Sequence, residues 1–310
     1  MKTKKKEKNK WLFLMMISLT LLLTGCAERN ASSDENNLTS NNLVQHVEIY
    51  ANQTSGKEAY VLKELVIQNE GMKIYGQLYL PENGVGHYPT VIIGHGFGGS
   101  YTDNIENARI LAQAGYACYI FDFCGGSPYS SSDGSMLEMS VMTEVDDNEA
   151  VLEYIKSQKF VDNQNIFLMG ESQGGLVAAL TASDYISEIK GLILYYPAFL
   201  IPDNARTQYQ TIEDIPDNVN IFGMRIGGKY YEDVFDLNVY DTINSFTKDV
   251  LIIHGDKDSI VPIFYSEKAV AAYRDAELIT VQGAGHGFHG NDAEFALQST
   301  IHYLKEHTDS

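Results

Sequence analysis

Gly170-Glu171-Ser172-Gln173-Gly174 sets a serine in a G-x-S-x-G pattern. A serine hydroxyl is a poor nucleophile until a neighbouring base takes its proton. In a chain with 26 glycines the pattern alone is weak, and its setting carries more. The apolar run Ile166–Met169 precedes it and small and aliphatic residues follow from Gly174. A nucleophile elbow needs this strand–turn–helix context, with flanking positions free of bulk, and Gly170, Gly174 and Gly175 meet that need. The plain alternative is an ordinary turn in which Ser172 caps a helix.

A base and an orienting acid should follow such a serine on the loops after the last strands, acid first. Eight histidines are available. His286 lies in Gly283-Ala-Gly-His-Gly-Phe288, just past the apolar run Leu278–Val281, where small neighbours leave the imidazole room to reach the serine. His289 is the near rival and lacks that glycine frame. The acid should follow Val250–His254, and both Asp256 and Asp258 qualify by chemistry: a carboxylate there holds the imidazole tautomer and stabilises the imidazolium. Asp256 could equally be a turn-former. His254, at a strand end, reads as a structural hydrogen-bonder.

An oxyanion needs two backbone N–H donors. One is expected from Gln173, directly after the serine, and the other from Phe97 in Gly94-His-Gly-Phe-Gly-Gly99. That glycine-rich loop matches neither phosphate-binding pattern, and no H-E-x-x-H or paired Cys/His cluster suggests a metal. No cofactor is implied.

These residues must be held by elements. Val61–Val66 and Lys73–Leu80 alternate apolar and polar residues, which predicts an antiparallel pair. Uniform apolar runs at Thr90–Ile93, Tyr116–Phe123, Ile166–Met169, Gly191–Tyr196, Val250–His254 and Leu278–Val281 predict strands buried on both faces. Helical spacing covers Asn104–Ala114, Glu144–Ser157, Gly174–Ser183, Ser266–Arg274 and Glu294–Glu306. The alternation predicts an α/β fold with a mostly parallel, doubly wound sheet entered through an antiparallel hairpin. Residues 199–248 break the rhythm with a long aromatic-bearing stretch, expected to be an inserted lid. Otherwise it is a surface excursion with a small core of its own.

The first ten residues carry six lysines, an apolar run Trp11–Leu23 follows, and Leu23-Thr-Gly-Cys26 closes it. This reads as an export signal, too short for a comfortable transmembrane helix of about 20 residues. Leu23–Cys26 resembles the lipobox of bacterial lipoproteins, which implies lipidation of Cys26 after cleavage and an extracytoplasmic protein anchored to the cell membrane. Residues 26–56, rich in Asn, Ser, Thr and acidic residues, read as a disordered tether, leaving 57–310 for the domain. The net charge of −19 argues against nucleic-acid partners. Cys118 and Cys124 lie on one strand and its exit. Six extended residues span about 20 Å, too far for a bridge that needs about 7 Å, so both are expected as buried thiols.

Taken together, residues from about 65 to 307 resemble the α/β-hydrolase superfamily, and within it the bacterial feruloyl/cinnamoyl esterases. The matching pieces are Gly94–Gly99, Phe121-Asp-Phe123, Gly170–Gly175, Pro197-Ala198, His254–Asp258 and Gly285–Phe288. The resemblance implies a serine esterase with Ser172, Asp258 and His286 as triad, Asp258 rather than Asp256 taking the acid position. It also implies a structural Asp122 and a lid in which Asp203, Gln210 and Tyr230 contact a phenolic ring. Cys124-Gly-Gly-Ser127 departs from the commoner Arg-Gly-His-Gly. The implied substrate is a small ester or acylated carbohydrate of plant polysaccharide. Competing expectations are a short-chain ester or acylglycerol hydrolase, a peptidase of the prolyl-oligopeptidase type (whose usual propeller the tether is too short to be), and a catalytically dead glycan- or peptide-binding lipoprotein.

Overall fold

The structure, a computed structural model, describes residues 47–50, 60–82 and 85–309. The expected signal segment and Cys26 lie outside the described residues. In chain order the first strands are β1 (Val47–Tyr50), β2 (Tyr60–Asn69), β3 (Met72–Pro81) and β4 (Tyr88–Gly94). Next come α1 (Ile105–Gln113), β5 (Ala117–Phe121), α2 (Val141–Lys156), β6 (Val161–Glu171), α3 (Gln173–Asp184) and β7 (Gly191–Tyr195). The stretch expected as an insertion holds α4 (Ile201–Gln208), β8 (Asn218–Ile221), β9 (Met224–Gly227), α5 (Lys229–Glu232) and α6 (Val239–Ile243). The chain closes with β10 (Asp249–Gly255), α7 (Phe264–Ala272), β11 (Ala276–Val281) and α8 (Asn291–His307).

Nine strands form one sheet in the order β1-β2-β3-β5-β4-β6-β7-β10-β11. The β1–β2, β2–β3 and β3–β5 pairs are antiparallel and the remaining pairs parallel. The doubly wound sheet with an antiparallel entry is therefore present. β1 departs from the tether expected over 26–56: its backbone pairs with the outer edge of β2, Val47 opposite Leu65 and Tyr50 opposite Leu62. A sheet edge offers a row of unpaired N–H and C=O groups, and a short alternating segment can add to it without a core of its own.

Successive residues of each central strand point to opposite faces, and both faces are covered. Ile92, Leu168, Leu192 and Ile252 pack with α2 and α3 residues such as Val145, Leu152, Leu176 and Val177. Val91, Ile93, Met169, Ile193 and Ile253 pack on the other face with Leu111 of α1 and Leu297 and Ile301 of α8. This is why those runs read as uniformly apolar. Cys118 and Cys124 are free buried thiols, and burial pushes both above the usual thiol range. Asp122, fully buried, accepts from the Tyr101 and Ser131 N–H groups at 2.6 Å each, tying two loops to the end of β5.

Candidate active site

β6 delivers Ser172 at its C-terminal end, and the turn into α3 is sharp: Ser172 takes φ 51°, ψ −114°. This left-handed geometry is strained for a non-glycine residue and persists only where its surroundings hold it. They do so here through the backbone. The Ser172 N–H donates to the Tyr195 carbonyl at 2.9 Å, and its carbonyl accepts from Ala198 N–H at 2.8 Å and Gly175 N–H at 3.1 Å. A Cβ at Gly170 would strike the Gly174 carbonyl, and one at Gly174 would strike the Gly94 and His95 carbonyls, so both glycines are required by close approach.

The loops after β10 and β11 bring the other two groups to the serine. His286 Nε2 lies 3.0 Å from Ser172 Oγ, and His286 Nδ1 lies 2.7 Å from Asp258 Oδ2. An ionised carboxylate only accepts, so the proton sits on Nδ1 and Nε2 is left to accept from the serine hydroxyl. Asp258 is buried, which alone would raise its pKa. Donors from His254, His286 and the Val261 and Ile260 N–H groups outweigh burial and hold it well below the usual carboxylate range. Asp256 has a different post: its Oδ1 accepts from Gly283 N–H at 2.6 Å, framing the loop that carries His286. His254 is fully buried between Ser266 Oγ at 2.7 Å and the Val261 carbonyl at 2.8 Å. The carbonyl fixes its proton on Nε2, where it also faces Asp258 Oδ2 at 3.2 Å.

Gly96 and Phe97 sit beside the nucleophile: a Cβ on Gly96 would lie 3.3 Å from Ser172 Cβ. Among the described residues neither the Phe97 nor the Gln173 N–H has a protein acceptor, which leaves both free to donate to a ligand. His95 secures this loop. Its Nδ1 donates to the Gly96 carbonyl at 2.8 Å and its Nε2 accepts from Phe123 N–H at 3.2 Å, while burial lowers its pKa and favours the neutral ring those bonds need. The divergent Cys124–Ser127 loop braces the other side, with Gly98 N–H on the Gly126 carbonyl and Ser127 Oγ on the Gly98 carbonyl.

A cavity of about 950 Å³ opens over the serine, lined by Phe97, Tyr196, Phe222, Ile260 and Phe288 beside Ser172 and His286. Its charged lining is one-sided: Asp103, Glu106, Glu171 and Glu294 contribute carboxylates, Glu106 being paired with Arg109 at 2.6 Å, and among the described residues no lysine or arginine lines it. Burial, followed by the nearby Asp103 carboxylate, pushes Glu171 up to about 7 against a lowering hydrogen bond from Tyr196. The Tyr196 ring meets the His286 imidazole edge-on at 4.8 Å.

Within the 199–248 stretch, β8 and β9 form a separate two-stranded hairpin. Its two-residue turn, Phe222-Gly223, has positive φ at both positions (51° and 83°), the mirror-image turn that suits the twist of a hairpin. The turn carries Phe222 over the cavity to within 6.1 Å of the Phe97 ring. The three residues expected to contact a phenolic ring are placed elsewhere. Asp203 pairs with Arg206 at 2.7 Å and accepts from the Tyr265 hydroxyl at 3.2 Å, and Gln210 is exposed; neither lines the cavity. Tyr230 is buried beneath it, donating to Gln173 Oε1 at 2.6 Å. Helical pairing at i and i+3 claims Asp203, and the apolar neighbours Ile226 and Tyr231 draw Tyr230 inward. Glu144 and Tyr196 were missed as contributors, since each works through contacts to distant segments that no local motif announces. His95 stands inside the Gly94–Gly99 motif, and its role was missed because its bond to Phe123 N–H joins a segment 28 positions away.

The sheet order, the crossovers and the strand–elbow–helix make the chain an α/β-hydrolase, of the serine hydrolase superfamily. The family model of the prolyl oligopeptidase family matches residues 101–310, and the chain belongs to that family. Est1E from Butyrivibrio proteoclasticus, in its structure with bound ferulic acid, superposes with a TM-score of 0.72 at 30% identity, over 78% of this chain and 98% of Est1E. The uncharacterised protein Rv2307c of Mycobacterium tuberculosis is 27% identical over 234 residues, 75% of this chain and 73% of its own length. A proline iminopeptidase from Thermoplasma volcanium is 27% identical over 153 residues, covering 49% of this chain and 48% of that enzyme.

Proposed function

We propose that this protein is a serine carboxylic-ester hydrolase working through an acyl-enzyme on Ser172, with hydroxycinnamoyl or other small acyl esters of plant polysaccharide as its substrates. The reading is carried by one observation, the continuous contact from Ser172 Oγ through His286 to Asp258 at 3.0 and 2.7 Å. As Oγ attacks the ester carbonyl, His286 Nε2 takes its proton, and the imidazolium is stabilised by Asp258. The oxyanion accepts from the Phe97 and Gln173 N–H groups, each worth about 2.7–4 kcal/mol in the chemical step. The His286 proton passes to the departing alcohol as its C–O bond breaks. Water then repeats the sequence on the acyl-enzyme and releases the acid.

The phenolic acyl group is supported by the likeness to Est1E with its ferulic acid and by the aromatic lining of Phe97, Tyr196 and Phe222. A second reading, hydrolysis of an aminoacyl amide, is favoured by the family match and the iminopeptidase relative. Hydrolysis of methyl ferulate, p-nitrophenyl acetate, butyrate and octanoate, an acylated xylan and an aminoacyl anilide, with Ser172→Ala alongside, separates them. Methyl ferulate turned over well above the alkyl esters supports the phenolic reading, and the anilide turned over best supports the peptidase. No Ser172-dependent turnover on any of them would sink the esterase and leave a binding protein. We propose also that Cys26 is lipidated and holds the protein to the outer face of the cell membrane. Labelled palmitate incorporated by the full chain and lost in Cys26→Ser is the expected result, and equal labelling of both would refute it.

A further inference from the structure

Tyr230 belongs to α5, well outside the loops that carry the nucleophile and its partners, yet it touches both residues that offer the oxyanion donors. Its hydroxyl donates to Gln173 Oε1 at 2.6 Å, and its ring packs edge-on against the Phe97 ring at 5.7 Å. Phe97 follows β4 and Gln173 follows β6, neighbouring strands in register at Gly94 and Gly170, so the backbone brings the two segments together at Gly174 while each N–H lies on a turn beyond that contact. On its other side the Gln173 side chain donates from Nε2 to Glu144 Oε2 at 2.8 Å. Gln173, Glu144 and Tyr230 are all at least nine-tenths buried. The amide orientation is settled by these partners: the phenol supplies the proton to the oxygen, and the carboxyl group accepts from the nitrogen.

Among the described residues Glu144 Oε1 has no hydrogen-bond partner. A buried carboxyl oxygen left without a partner costs stability, and apolar side chains would fill this space at lower cost. A chain that keeps Tyr–Gln–Glu here against that cost holds it for what the middle residue does. The middle residue is the one that immediately follows the nucleophile.

We propose that Tyr230 and the Gln173 side chain are positioning residues for the oxyanion site, setting the Gln173 peptide plane and the Phe97 loop at the spacing a tetrahedral intermediate requires. The inserted segment is thereby a fixed part of the chemical apparatus, beyond any contact it makes with substrate. This inference rests on the serine-hydrolase reading. Alignment of preorganised donors matters more in the transition state than in the ground state, so a loosened pair lowers kcat while leaving substrate binding in place.

The test is steady-state hydrolysis of the best ester in the panel by the full chain and two variants. Tyr230→Phe keeps the ring on Phe97 and removes the hydroxyl. Gln173→Met keeps the backbone N–H and side-chain length and removes both hydrogen bonds. Each should lower kcat about tenfold, the rate equivalent of one buried hydrogen bond, with KM within about twofold. The double variant should fall no further than about twofold below the weaker single one, since the residues act as a unit. An alkyl boronic acid that forms a tetrahedral adduct on Ser172 should bind about tenfold more weakly to both variants, a change that a merely structural role would not produce. A folded Tyr230→Phe variant with unchanged kcat and boronate affinity overturns the inference, as does a loss confined to KM. If Tyr230→Phe fails to fold, by its Tm and circular dichroism, Gln173→Met decides on the same readouts. A wild-type chain whose turnover does not exceed that of Ser172→Ala strikes the serine-hydrolase reading instead, and that failure is recognisable because it shows in that comparison alone, whatever the Tyr230 and Gln173 variants do.

Discussion

His254 and His286 direct ring nitrogens at the same oxygen of Asp258, Oδ2, from 3.2 and 2.7 Å. The other oxygen, Oδ1, is occupied by the Ile260 and Val261 N–H groups at 2.8 Å. Every lone-pair direction of this carboxylate therefore has a donor, and its orientation toward His286 is determined from three sides. Asp258→Asn replaces an acceptor by an amide that must turn its NH₂ toward a donor, which puts the imidazole in the wrong tautomer. Ester turnover should fall about 10⁴-fold with KM little changed. Steady-state kinetics beside Ser172→Ala checks this, and retention of more than a tenth of wild-type kcat would remove Asp258 from the mechanism.

The same carboxylate predicts behaviour in acid. Its folded pKa lies below its ordinary value of 3.8, so it contributes stability that is fully present above that value and is lost as pH falls toward the folded one. Glu144 has the opposite sign. Burial, with help from Asp147, pushes it from 4.5 up to about 8 although the Gln173 hydrogen bond works the other way. Between those values the unfolded chain releases the proton while the folded one keeps it, so stability falls as pH rises from about 4.5 to about 8. The groups facing Glu144 are Asp147 from its own helix, Tyr230 from α5 and His95 from the loop after β4. Glu144→Gln removes this dependence, and its Tm relative to wild type should rise between pH 5 and pH 8. A constant difference across that range, by differential scanning calorimetry, would contradict the account.

Among the described residues the charged groups lining the cavity over Ser172 are carboxylates, of which Glu106 is paired with Arg109 and Asp103, Glu171 and Glu294 remain to sort substrates by charge. An ester with a cationic alcohol should be cleaved about tenfold more efficiently than an anionic ester of similar size, a preference that shrinks as salt rises. Because Glu171 titrates at about 7, the preference should grow between pH 6 and pH 8. Competition between a choline ester and a hemisuccinate ester at 20 and 500 mM salt measures it, and equal kcat/KM at low salt would refute the charge argument.

Phe222 stands at the tip of the β8–β9 hairpin, 71% exposed, with its ring turned to Phe97. Phe222→Ala should raise KM for aromatic acyl esters about threefold to tenfold, the worth of one aromatic contact, and leave acetate esters unaffected. An equal effect on both would mean that the hairpin touches no acyl ring.

The parts of this site that were legible beforehand are those whose chemistry needs a local backbone shape. The elbow at Ser172 demands glycines on either side, and His286 sits in a glycine frame for the same reason, so both leave a mark in the sequence. The uniformly apolar strands are legible because a sheet covered on both faces tolerates nothing else. Asp258 and Asp256 could not be separated by chemistry alone, as both are acids on one loop. Only the fold turns one toward His286 and the other toward Gly283. Asp203 and Gln210 fell outside the cavity because the path of a long insertion is set by packing among its own helices. Glu144 looked like one more polar residue opening a helix, and its burial against Gln173 depends on a contact between segments 29 positions apart.

The two-stranded hairpin shares no ladder with the nine-stranded sheet, whereas Tyr230, a few residues beyond it, is buried beneath the cavity. The insertion is thus divided into a piece free to diverge and a piece that is not. The freedom lies at the hairpin's tip, since Val219 and Ile226 on its strands are buried in the core. Turns of other length and composition could be grafted between Ile221 and Met224 to explore new esters, while Ile226 and the residues just downstream must stay as they are for any of those substrates to be turned over.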